Sequence, residues 1–232
     1  VPLEELATIT ASGGKLGIAK NNLVDFTSTV SKMVVAFDVD AKVAGDAAAK
    51  IMDNFKVDIK GLTVIGDAIN HLSNQGSDAG EIIHILKETA GVTREFGLSA
   101  VQTSALAHTF LKVGKNGSTA STSINSILTK LSAASEQGTK FKDALAEIGL
   151  TGEGLQSNIL AKPQEALEDF LNRINNLERE DKMGVLFNLF GMEYVDDVSL
   201  LAGNLDIYKK SLESVSDVSK YQGSLDEEYL AR

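Results

Sequence analysis

The sequence predicts an all-α fold: a multi-helix bundle of short amphipathic helices joined by Gly-rich corners. Three observations predict it. Apolar residues recur at three- and four-residue spacing along nearly the whole chain, while strand-like alternation is almost absent. Both prolines, Pro2 and Pro163, stand where a helix could begin, the position at which a missing N–H costs nothing. Most glycines fall between the periodic segments, where a left-handed residue can end a helix.

In chain order the periodicity predicts helices over 2–11, 22–37, 40–54, 59–75, 79–94, 99–113, 118–136, 139–148, 152–161, 163–178, 182–190, 193–203 and 205–216. Met33–Val39, the best strand candidate, continues the pattern of Leu23, Phe26, Val30 and Val34 and is read as helix. Asp40, Asp58 and Ser118 are placed as single N-caps. Asp78 with Glu81, and Ser99 with Gln102, match the reciprocal capping box. Residues 1–216 are expected to form one helical core, divisible into sub-bundles of about 1–95 and 96–216. Residues 217–232 read as a polar tail leading into a further, truncated region, and with no initiator Met the chain is expected to be a piece of a longer protein.

The pattern is densest from Pro163 to Leu205. One stripe runs through Ala166, Phe170, Leu171 and Ile174, a second through Val185, Leu186, Leu189 and Phe190, and a third through Tyr194, Val195, Val198 and Leu201. Three short amphipathic helices in succession are not stable alone, so they must pack on one another or on a partner. Phe187, Phe190 and Tyr194 gather around Gly191; core packing is the ordinary reading, and a protein-interaction corner is the functional one.

One device occurs twice. Phe96-Gly97-Leu98-Ser99 and Ile148-Gly149-Leu150-Thr151 each place Gly after one helix, Leu in the corner, and a hydroxyl residue as the next cap. The pattern sets geometry rather than chemistry.

Composition narrows the function classes. A net charge of -10, with 22 Lys and Arg against 32 Asp and Glu and no basic cluster, argues against nucleic-acid binding, which gains affinity by neutralising phosphates. The absence of Cys excludes disulfides and thiolate metal sites. No apolar run is long enough to span a membrane, and the start lacks the basic and apolar regions of a signal peptide.

Candidate chemistry is sparse. Glu81 and His84 show the Glu-x-x-His spacing of di-iron bundles, but neither His71 nor His108 has a carboxylate three residues earlier to make a second pair. The three histidines fall on separate predicted helices, without zinc-ligand spacing. Gly13-Gly14-Lys15 and Gly114–Thr119 lack the order of a phosphate loop. No nucleophile motif is present. No catalytic, cofactor-binding or metal-ligating residue is assigned, and no cofactor is expected.

Over nearly its whole length the chain resembles the core region of phage tail tape measure proteins, of phage or prophage origin. The resemblance is carried by Gly14–Ile18, Leu23–Phe26, Met33–Asp38, Ile69–Asn74, Phe96–Ser99 and, most specifically, by 169–177 and 185–208. It implies a non-enzymatic assembly role in which a long helical protein sets tail-tube length and occupies the lumen until DNA is ejected. The implied partners are the tail tube protein, tail assembly chaperones, tail tip or baseplate proteins and further copies of the chain. The implied places are the host cytoplasm during assembly and then the virion tail. An anionic surface suits a tube through which DNA must pass. The rival reading is a helical adaptor or secreted helical effector that binds a protein partner; an enzyme, such as a peptidoglycan hydrolase, ranks third.

Overall fold

Helix follows helix throughout the computed structural model, which describes residues 1–232 and contains fourteen α-helices and no strand. The first four are α1 (Leu3–Lys15), α2 (Leu23–Phe37), α3 (Ala41–Phe55) and α4 (Ile59–Ser73). The middle of the chain supplies α5 (Ala79–Phe96), α6 (Ala100–Lys112), α7 (Gly117–Ser132), α8 (Thr139–Glu147) and α9 (Gly152–Ala161). Then come α10 (Pro163–Asn175), α11 (Arg179–Phe190), α12 (Val195–Gly203), α13 (Leu205–Ser214) and α14 (Ser224–Ala231). Each of the thirteen helices expected from periodicity is present, starting within three residues of its expected position.

The caps explain most starts. Asp40 accepts from the Lys42 N–H at 2.8 Å and Asp58 from the Gly61 N–H at 2.8 Å. Ser99 and Gln102 form the expected reciprocal box, at 3.0 and 2.9 Å. Two caps differ from expectation. Ser118 lies inside α7; the cap is Asn116, whose side chain accepts from the Thr119 N–H at 2.8 Å. Asp78 does accept from the Glu81 N–H, but the Glu81 carboxylate turns away from its own helix and takes the Gly117 N–H at 2.6 Å. A neighbouring helix end competes successfully for that carboxylate.

The two repeated corners share one geometry. Gly97 and Gly149 are left-handed, with φ of 110° and 76°, and the N–H of the following Leu closes on the carbonyl five residues earlier: Leu98 on Thr93 and Leu150 on Leu145, each at 2.9 Å. The same closure follows Gly17, Asp38, Lys56 and Gly114. At Asp38 and Lys56 it proceeds without glycine, so composition did not mark those two corners.

α5 and α6 lie at the centre. Ile82, Ile83, Ile85, Leu86 and Phe96 of α5 are buried, as is every α6 residue from Thr103 to Phe110. A helix buried on nearly all sides must satisfy its own polar groups. Thr89, Thr103, Ser104 and Thr109 do so by donating to the carbonyl one turn back, at 2.7 to 2.8 Å. Around this centre α1 and α3 run side by side, with Ser12 donating to Asp46 at 2.7 Å, and α7 covers α5. The buried apolar side chains form one cluster of 61 residues from Ile9 to Leu225, so both ends of the chain contribute to a single core. Within 217–232, Tyr221 and Leu225 are buried, and α14 lies on α2 and α4.

Candidate functional site

The corner after α11 is built by a change of direction at Gly191. Its N–H donates to the Phe187 carbonyl at 2.8 Å and closes α11; its φ of 82° then turns the chain into a single 3-10 turn, Met192–Tyr194, that leads into α12. The three aromatic residues expected to share this corner separate. Phe190 is 2% exposed and sits edge-on to Phe170, with ring centroids 5.9 Å apart, so its ring belongs to the core. Phe187 is half-exposed on the outer face of α11. Tyr194 is half-buried and borders a cleft of about 280 Å³ between α7 and α12, together with Ser118, Thr122, Glu193 and Asp197.

The floor of that cleft is ionic. Asp197, 7% exposed, accepts from Lys115 at 2.9 Å and from the Ser123 hydroxyl. The hydrogen bond to Asp197 holds the Lys115 ammonium above its ordinary pKa. Both oxygens of the carboxylate are therefore engaged within the fold.

The other sequence candidates are likewise engaged. Glu81 caps α7, and His84 packs beside the same Gly117. The N-terminus of α7, where a phosphate would seek free N–H groups, is thus closed by Glu81 and Asn116. His71 stacks on Tyr221 at 5.7 Å, whereas His108 is buried on α6 with Nδ1 2.6 Å from the Ser77 hydroxyl. Burial, with a smaller contribution from Lys112, pushes the His108 pKa down from 6.5 to about 4. No three His, Asp or Glu side chains gather to hold a metal ion.

Sequence reasoning missed the polar contact that ties the last helix to α4. Asp67 on α4, 2% exposed, accepts from the N–H groups of Gly223 and Leu225, and Asn70 donates to Ser224. A buried Asp and Asn one turn apart within an apolar helix were the only local signal.

Fold and site together define an all-helical packing protein whose buried polar groups are spent on contacts inside the fold. The chain belongs to the family described as phage-related minor tail protein, which it matches over residues 1–191. It is also 26% identical over 230 residues to a protein of Halomonas phage phiHAP-1 described as a probable tape measure protein. The match covers 95% of this chain and 27% of that protein, so the chain spans about a quarter of the relative's length. No solved structure matches it. No helix is long and apolar enough to cross a membrane.

Proposed function

We propose that this chain is the compact helical core region of a tape measure protein, a mechanical and non-enzymatic component of a phage tail. In this reading it belongs to a longer protein that templates tube length, fills the lumen until DNA is ejected, and is assembled in the host cytoplasm. Its partners are the tube protein, tail assembly chaperones and tail tip or baseplate proteins. The carrying observation is the likeness to a probable tape measure protein along 95% of the chain, in a family of minor tail proteins. The structure supports the mechanical role: the buried ionisable groups Asp67, Asp197, His108, Tyr208 and Tyr221 each serve an internal contact.

The proposed protein-interaction corner keeps two of its three aromatic residues, Phe187 and Tyr194, at the surface, while Phe190 holds the corner to the core. In-frame deletion of 1–216 from the phage gene tests the role. Electron microscopy should show filled heads without tails of normal length; tails of unchanged length and number would overturn the proposal.

A further inference from the structure

The outer face of α11 carries exposed apolar side chains within an acidic stretch of the chain. Val185, Leu186, Leu189 and Phe190 point inward, toward α8, α7 and α12. Met183 and Phe187, one turn apart, point outward at 51% and 45% exposure, and Met192 beyond the corner is 70% exposed. Gly184 lies on the same face and adds no side chain. Met183 and Phe187, i and i+4 on one helix, stand side by side, and adjoining exposed apolar groups with a polar rim are the kind of patch that marks a contact site. Methionine suits such a site, because its unbranched chain adapts to the partner's contour.

Charge identifies the occupant. Glu178, Glu180, Asp181, Glu193 and Asp196 are all exposed around the stripe, and none of them makes an ion pair within the chain. Against these five carboxylates stand only Arg179 and Lys182 between Ile174 and Tyr208. The neighbouring α8 does not offset them, since its Lys140 and Lys142 are matched by Asp143 and Glu147. A second copy of the chain would bring like charges together, and an anionic membrane or nucleic acid would be repelled.

We propose that the Met183–Phe187–Met192 face is a docking surface for a basic amphipathic helix of a partner protein. Apolar residues on the incoming helix, at three- and four-residue spacing, cover Met183, Phe187 and Met192, and its Lys and Arg residues pair with the carboxylate rim. The rim sets register and speeds encounter; the stripe carries the affinity. This deepens the reading of the Gly191 corner as a partner-binding face and does not depend on the tail role.

The test uses the 232-residue chain and a fluorescein-labelled Leu/Lys peptide of about five helical turns with leucines along one face. Anisotropy should report saturable binding that weakens with salt. Affinity should fall on the order of tenfold in M183S/F187S and clearly in E180K/D181K. Both pairs are exposed, so circular dichroism should show the fold unchanged. No binding, undiminished binding by M183S/F187S, or equal binding of the same residues in scrambled order would overturn the docking surface. So would a dimer of the chain that M183S/F187S dissolves, since it would make a second copy the occupant. No phage is involved, so failure here leaves the tail reading to its own deletion test.

Discussion

Asp67 on α4 accepts the backbone N–H of Leu225 at 2.9 Å, so a carboxylate that is 2% exposed closes the start of a helix 158 positions away in sequence. The Gly223 N–H adds a second bond at 3.1 Å, and the helix N-terminus is a favourable place for negative charge. Burial still outweighs these bonds and holds the Asp67 pKa above its ordinary value. The same contact has an apolar half. Leu225 is the one buried residue of α14, and it fits only because Gly66 has no side chain: a Cβ there would lie 2.9 Å from the Leu225 Cδ2.

α14 should therefore behave as the first part of the fold to open. Eight residues form a marginal helix alone, and this one has a single buried anchor. D67A leaves two N–H groups without their acceptor and should cost about 1–3 kcal/mol; L225A should cost about 2–4 kcal/mol. Hydrogen exchange should show protection lost over 224–231 in both variants while the α5 amides keep theirs. Equal loss of protection everywhere would show that α14 and the core open as one unit.

His108 should make the protein acid-sensitive in a defined window. Its folded pKa lies below the unfolded value, so the unfolded chain takes up the proton first. The stabilisation is complete above pH 6.5 and is lost as pH falls toward about 4, to a limit of about 3 kcal/mol. Asp67 acts in the opposite sense: with a raised pKa its contribution is complete below 3.8 and is lost as pH rises through the folded value. Urea titrations of H108Q should therefore show a flatter dependence between pH 6.5 and 4 than the parent. Parallel curves would sink the assignment.

The two Gly-Leu corners should differ in tolerance. At Gly97 a Cβ would meet the Pro163 ring at 2.7 Å, on top of a φ of 110°, so G97A combines backbone strain with a clash and should cost more than about 2 kcal/mol. At Gly149 the nearest atom is the end of the Arg173 side chain at 3.1 Å, which can move, so G149A should cost about 1 kcal/mol. The reverse change at Lys56, φ 55°, relieves strain and gives up only an exposed ion pair with Asp53. K56G should raise the melting temperature, by an amount equivalent to about 0.5–1 kcal/mol.

Lys115 and Asp197 should be coupled. Asp197 is nearly buried, so K115M leaves its charge with Ser123 alone and should destabilise the fold by about 1–3 kcal/mol. D197N in the K115M background should restore part of that loss. A double-mutant cycle with no coupling would mean that solvent already screens the pair.

How far these features could be read beforehand follows from their range along the chain. Phe187 and Phe190 are grouped at one corner by their nearness in sequence, yet three residues apart around the helix they separate, Phe190 joining the buried stripe of Val185, Leu186 and Leu189 and Phe187 staying exposed. Asp40, Asp58 and Ser99 cap as expected because each needs only an N–H two or three residues ahead. Glu81 fails the same rule because a competing N–H, at Gly117, arrives from another helix.

The first thirteen helices, their phase, most caps and the two Gly-Leu corners were therefore settled by local sequence, since each depends on spacing within one or two turns. α14, with Leu225 as its one buried residue, reads as polar tail because so short a helix carries no apolar stripe. Tertiary packing alone decided which helix ends meet: Glu81 with α7, Asp67 and Asn70 with α14, Lys115 with Asp197. Those pairings join positions between 36 and 158 residues apart, and no local pattern encodes them. They exist because burying the apolar faces in one core brings polar groups to places where water no longer reaches, and each must then find its partner inside the protein.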